Sequence, residues 1–324
     1  MTEQVREEFS FTSADGKTPI HAITWLPKGE AVQQPRGIVQ LAHGMEEYIA
    51  RYDDFARFLT SHGFAVCGND HIGHGLSVSD EVPLSHLPLN GATVMLADMN
   101  SLRAQFASCF PENTPYILFG HSMGSFAARC YLARYGKGLA GAIICGTGDV
   151  PVAASIFGGF LARRMAEKNG LDSYSPFITS LSDGKYGKAI PVARTNFDWL
   201  NTDPAQVDAY INDPLCGVAF TVGGYASLMD LVAEACSTSC TQQAPAGLPV
   251  LFISGEDDPV GGHDAKGAMK AFERYAKHSK TLPTIKIYPG MRHEILNEPE
   301  HQTVYDDVLA WLDKVVGSEQ TEAT

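Results

Sequence analysis

The stretch Tyr116-Ile117-Leu118-Phe119-Gly120-His121-Ser122-Met123-Gly124 decides how the rest of the chain is read. Its first four residues form a short apolar run that suits a strand buried on both faces, and a helix is expected from Met123 to about Tyr135. Between them the pattern G-x-S-x-G forces a sharp, strained turn that lifts the serine hydroxyl above the sheet edge. Gly120 and Gly124 let strand and helix approach without side-chain clash. The helix N-terminus also brings N–H dipoles to the reacting position. Ser122 is therefore the candidate nucleophile.

Similar apolar runs flank this strand on both sides. They are Ile38 to Ala42, Phe64 to Cys67, Ala142 to Cys145, Val250 to Ile253 and Ile285 to Tyr288. All are short and bounded by Gly or Pro, as expected of strands covered on both faces of a parallel sheet. Helical spacing separates them, as in Tyr52, Phe55, Phe58 and Leu59, or Val304, Val308, Leu309, Trp311 and Leu312. Ahead of them, Phe9 to Ser13 and Ile20 to Leu26 alternate around the turn Ala14-Asp15-Gly16-Lys17, which predicts an N-terminal hairpin. The sum is an α/β fold with a mostly parallel sheet.

One interval is too long for a single crossover helix. About a hundred residues separate Gly148 from the strand at Val250. They read as an insertion followed by a final crossover helix near Phe220 to Cys236. The insertion opens with Val152, Ile156, Phe157, Phe160 and Leu161 at helical spacing, although Gly158-Gly159 weakens that helix. The expected division is core 1–148, insertion 149–215, core 216–316 and a polar, frayed tail 317–324.

Composition narrows the function. The chain has 324 residues, 44% of them hydrophobic, and can bury a sizeable core. Its 37 acidic against 24 basic residues give a net charge of -13, which argues against nucleic acid and against electrostatic docking on anionic lipid. The seven scattered cysteines read as small buried thiols rather than a disulfide framework, and Cys236 and Cys240 lack the further ligands a zinc site needs. No apolar stretch approaches the ~18 residues of a spanning helix. The mixed charges of Met1 to Glu8 do not resemble a signal peptide, so a cytoplasmic location is expected.

A serine hydroxyl needs a base, and His293 follows the last strand, at the position this fold reserves for one. His263, His278 and His301 fall in or at the start of helices instead. The acid belongs after the penultimate strand, in Gly255-Glu256-Asp257-Asp258-Pro259. Pro259 biases Asp258 toward an extended conformation, which favours Asp258, with Asp257 as the alternative. For the oxyanion, one N–H is that of Met123, and the second comes from the loop His43-Gly44-Met45-Glu46-Glu47, with Met45 as the candidate.

Taken with Asp70-His71-Ile72-Gly73-His74-Gly75-Leu76-Ser77 and Arg51-Tyr52, these motifs resemble the α/β-hydrolase superfamily, in its monoacylglycerol lipase and lysophospholipase-like branch. Trp199-Leu200-Asn201-Thr202-Asp203 and Asp213-Pro214-Leu215-Cys216 resemble the same branch. Tyr48 stands where that branch has His, and Ile72 where Arg is common. The resemblance implies an α/β-hydrolase fold with a cap inserted between the sixth and seventh strands. It also implies a triad of Ser122, Asp258 and His293, no cofactor or metal, and hydrolysis of single-acyl-chain esters. The apolar start of the cap, followed by Arg163-Arg164, suits transient contact with a lipid surface, and equally suits packing on the body. Two other readings stay open: a capped peptidase, with Glu46-Glu47 receiving a substrate α-amino group, and a binding module without catalysis.

Overall fold

Alternation inside the apolar runs gives the sheet a core on each side. In the computed structural model, which describes residues 5–181 and 183–322, Leu118, Ile144 and Phe252 face one core while Phe119, Ile143 and Ile253 face the other. The strands are β1 Val5–Thr12, β2 Pro19–Leu26, β3 Ile38–Ala42, β4 Ala65–Asn69, β5 Tyr116–His121, β6 Gly141–Cys145, β7 Val250–Gly255 and β8 Thr284–Tyr288. They form one sheet in the order β1-β2-β4-β3-β5-β6-β7-β8. β1 and β2 pair antiparallel, as do β2 and β4; all other pairings are parallel.

The helices are α1 Asp53–Ser61, α2 Gly91–Ala107, α3 Met123–Tyr135, α4 Val152–Asn169, α5 Pro176–Leu181, α6 Pro204–Asn212, α7 Val222–Ala235, α8 Thr238–Gln243, α9 Lys266–His278 and α10 His301–Glu322. α1 and α10 cover one face through Phe55, Leu59, Val304, Val308 and Leu312. α2, α3, α7 and α9 supply Met99, Ala127, Tyr225 and Tyr275 to the other. The architecture is the α/β-hydrolase fold.

Several expectations need adjustment. β8 is an edge strand with Thr284 and Lys286 exposed, so it is not covered on both faces; Lys286 pairs with Asp307 of α10. Cys109 is exposed, unlike the other six cysteines, because it lies just past the end of α2. α10 continues to Glu322, so the tail is helical that far rather than frayed; 323–324 lie outside the described residues, as do 1–4 of the stretch read as carrying no signal peptide.

The segment between β6 and β7 holds α4, α5, two short 3₁₀ turns and α6 before α7 re-enters the core. Gly158 and Gly159 do not break α4. A Cβ on either would lie 3.2–3.3 Å from Met229 of α7, so the two glycines let α4 lie close along that helix. Ser155, Gly159 and Ala162 are buried there, whereas Ile156 and Phe160 face outward and Phe157 is exposed at the cavity's edge. Arg163 pairs with Asp230 of α7 and Arg164 with Glu167, so Arg163 serves the packing to the body.

Candidate active site

The elbow is strained as its sequence requires. Ser122 has φ 53° and ψ -119°, a conformation rarely adopted by a residue with a side chain. Packing sustains it: a Cβ on Gly124 would lie 2.1 Å from the Ala42 carbonyl oxygen, and one on Gly120 would lie 2.2 Å from that of Gly124. The Ser122 N–H is held by the Cys145 carbonyl at 3.0 Å.

Asp258 and His293 meet because their loops nearly touch. A Cβ on Gly255 would lie 2.2–2.3 Å from the carbonyl oxygens of Met291 and Arg292, so only glycine allows this approach. Asp258, fully buried, accepts from His293 Nδ1 at 2.9 Å through Oδ2 and from the Val260 N–H at 2.8 Å through Oδ1. Both carboxylate oxygens are thus engaged, while Glu256 and Asp257 are exposed. Of the two aspartates, Asp258 is the one in contact with His293.

The loop after β3 is fixed peptide by peptide. His43 Nε2 accepts the His71 N–H at 2.9 Å, so its proton lies on Nδ1, which donates to the Gly44 carbonyl at 2.7 Å. Burial, reinforced by nearby His74, pushes the His43 pKa down to about 3, which keeps the ring neutral. In a planar trans peptide, N–H and C=O point opposite ways, so the Met45 N–H points away from that ring. Met45 and Met123 both border the cavity that contains Ser122 and His293. Glu46 takes a left-handed φ of 58°, and its carbonyl accepts from Tyr210 Oη at 2.9 Å and the Gly217 N–H at 3.0 Å. The segment between β6 and β7 therefore braces this loop.

That cavity measures about 330 Å³, within the range of small-molecule sites. Much of its wall is apolar: Phe126, Val150, Phe157, Leu161, Ile178, Leu228 and Val232. Trp199 contributes as well, its ring 5.0 Å from that of His293, with the Tyr186 ring 4.9 Å beyond and tilted by 46°. Backbone bonds tie the same segment to the loop of His293: His293 N–H to the Trp199 carbonyl at 3.4 Å and Glu294 N–H to that of Leu200 at 2.7 Å.

Residues 33–300 match the model of the Hydrolase_4 family, described as serine aminopeptidase S33. The chain belongs to this hydrolase family. It is 30% identical over 315 residues to a monoacylglycerol lipase of Mycolicibacterium smegmatis, covering 96% of this chain and 99% of that one. A human monoglyceride lipase is 26% identical, with 89% and 84% covered. Among solved structures, a thermostable carboxyl esterase from Bacillus coagulans, in complex with glycerol, superposes with a TM-score of 0.85 at 28% identity, covering 96% of this chain and 99% of that one.

Within this Hydrolase_4 member, both departures from the branch pattern have structural partners. Tyr48 Oη donates to Asp213 Oδ2 at 2.8 Å, joining the loop after β3 to the stretch that follows α6. Ile72 is fully buried and packs with Ile20, Val82 and Val94, so its side chain is taken up by the apolar contact there. Sequence reasoning missed Arg51, His121 and Glu294 as neighbours of the site. The spacing of Glu47 and Arg51 was the one available signal, since their i, i+4 ion pair is local; Glu294 lies 243 residues further along.

Proposed function

We propose that this protein is a serine carboxylester hydrolase for single-acyl-chain esters of monoacylglycerol or lysophospholipid type, working through an acyl-enzyme. Ser122 attacks the ester carbonyl as His293 takes its proton, and His293 then protonates the leaving alcohol. Asp258 holds the His293 tautomer and stabilises the imidazolium, while the N–H groups of Met45 and Met123 receive the oxyanion. Water activated by His293 releases the acid. The reading is carried by the apolar cavity that contains both Ser122 and His293. The relatives named as lipases point the same way.

The family description names an aminopeptidase, so a peptide substrate is the competing reading. Such a site needs a carboxylate free to receive an α-amino group. Glu47 already accepts from the Gly44 N–H, Tyr52, Arg51 and His121, which counts against it in that role.

On the same reading, residues 149–215 form a cap over the site. Ile156, Phe157 and Phe160 supply a face for transient contact with a lipid surface. Seven free thiols are in keeping with a reducing, cytoplasmic location. The test is a ladder of p-nitrophenyl esters beside amino-acid p-nitroanilides. Each methylene buried is worth ~0.8 kcal/mol, so kcat/KM should rise roughly fourfold per CH₂ across short chains and then level off. A steady fall from acetate, or faster cleavage of the anilides, would overturn the reading.

A further inference from the structure

Three buried charged side chains, Glu47, His121 and Glu294, meet the largely buried Arg51 beside the reacting residues. Glu47 Oε1 accepts from the Gly44 N–H at 2.6 Å, from Tyr52 Oη at 2.8 Å and from His121 Nδ1 at 3.3 Å. Arg51 bonds Glu47 Oε2 at 2.8 Å and grips Glu294 with two nitrogens at 2.6 and 2.8 Å. His121 Nε2 faces the backbone carbonyl of His293 at 3.2 Å.

Chemistry fixes the charge on His121. A carboxylate and a carbonyl only accept, so a ring bonded to both must donate from both nitrogens and is an imidazolium. The quartet then holds two positive and two negative groups and is neutral as a whole, where a neutral His121 would leave one buried negative charge uncompensated. Burial opposes that protonation, but the Glu47 hydrogen bond and charge outweigh it and raise the His121 pKa; Glu47, buried too, is held below the usual carboxylate range by His121 and Arg51. The other ionisable groups facing the pair are Tyr52, the His293 ring 4.6 Å from that of His121, and neutral His43.

These contacts connect three separate loops. Glu47 reaches the loop carrying Met45 through the Gly44 N–H, His121 is the residue before Ser122, and both His121 and Arg51 reach the loop carrying His293. A Cβ on Gly44 would lie 2.6 Å from Glu47 Oε1 and 3.0 Å from the Ser122 Cβ, so the approach of carboxylate, loop and elbow is tight. We infer that Glu47 and His121 are positioning residues, an ion pair that sets the oxyanion loop, the serine elbow and the base loop in one register. The inference rests on the proposed function for the roles of those loops.

The experiment compares Glu47→Gln, His121→Asn and the double variant with the parent on a soluble short-chain ester. Misplacement of a reacting group by about 1 Å lowers rates on the order of 100-fold. We expect kcat to fall 10- to 100-fold in each single variant with KM within twofold, and the double variant to be no worse than the poorer single. Affinity for an alkylboronic acid, which captures the serine as a tetrahedral adduct, should weaken by the same factor as kcat/KM. The ring ¹⁵N spectrum of the parent should show His121 protonated on both nitrogens at pH 7. Should Glu47→Gln not fold, Tyr52→Phe removes one donor to the same carboxylate, and kcat should fall roughly fivefold. Variants within threefold of the parent in kcat and boronate affinity, additive losses in the double variant, or a neutral His121 would each overturn the inference. In those cases the parent still shows Ser122-dependent turnover; loss of that dependence in the parent would overturn the proposed function and this inference with it.

Discussion

Replacing Asp258 by asparagine tests the proposed triad at the atom where its geometry is most explicit. Oδ1 of Asp258 receives the Val260 N–H at 2.8 Å, and Oδ2 receives His293 Nδ1 at 2.9 Å. An asparagine has one accepting oxygen for these two donors. The Val260 N–H belongs to the backbone and cannot turn away, so the amide oxygen goes to it and the NH₂ group faces His293. Nδ1 must then accept, the ring proton moves to Nε2, and Nε2 can no longer take the proton of Ser122. The charge that stabilises the imidazolium is lost in the same step. Together these effects lower kcat on the order of 10⁴-fold, about 5.5 kcal/mol in the barrier, with KM little changed. Asp257 is exposed, and its N–H bond to the Met291 carbonyl does not involve its side chain, so Asp257→Asn should stay within about threefold. Both variants are assayed on one ester at one pH, with thermal melts to check folding. A loss under 100-fold for Asp258→Asn, or a larger loss for Asp257→Asn, would refute the assignment.

Three further outcomes are expected. Ser122→Ala should fold normally, lose on the order of 10⁶-fold in kcat and escape labelling by a fluorophosphonate that marks the parent; equal labelling of both would exclude Ser122 as nucleophile. Asp98 is buried against the N-terminal hairpin, where burial pushes its pKa up to about 6 despite bonds from the Ala14 N–H and Ser13 Oγ at 2.6 and 2.8 Å. A raised carboxyl favours the folded state below the unfolded pKa near 4 and withdraws that support as pH rises through 6, at most about 3 kcal/mol, so urea midpoints should fall between pH 4 and 7 in the parent and flatten in Asp98→Asn. Ile156 and Phe160 face outward and do not border the cavity, so Ile156→Ser with Phe160→Ser should reduce flotation with neutral phospholipid vesicles while soluble-ester kcat stays within twofold; unchanged flotation would refute lipid contact through α4.

What could be read from the sequence follows from how locally each feature is encoded. The parallel strands and the elbow declare themselves because full burial demands uninterrupted apolar residues, and a strand-turn-helix around Ser122 demands glycine on both sides. β8 misled because an edge strand with apolar alternate positions looks like a covered one over four residues. Gly158-Gly159 looks like a helix breaker when only propensity is considered; contact with Met229, seventy residues away, gives the pair its purpose. Of the quartet Glu47, Arg51, His121 and Glu294, only the Glu47–Arg51 pair was legible from spacing; the bonds that complete it span 74 residues from Glu47 to His121 and 243 from Arg51 to Glu294.

The bonds that the His293 and Glu294 N–H groups donate to the Trp199 and Leu200 carbonyls carry a lesson for engineering. Arg292 adds two more, from Nη1 to the carbonyls of Asp198 and Asn201 at 2.6 and 2.9 Å. The segment between β6 and β7 is thus two parts of unequal exchangeability. The earlier part, α4 and α5, borders the cavity through Phe157, Leu161 and Ile178. Exchanging it between homologues together with Met229 and Asp230 of α7, on which α4 packs, should reshape which acyl chain is accepted. The later part, from Asp198 to Gly217, holds the loops of His293 and Glu46 in place and has to travel with the body. A chimaera that splices between the two should keep the bonds that hold the His293 loop; one that removes both parts takes the Trp199 wall away from His293.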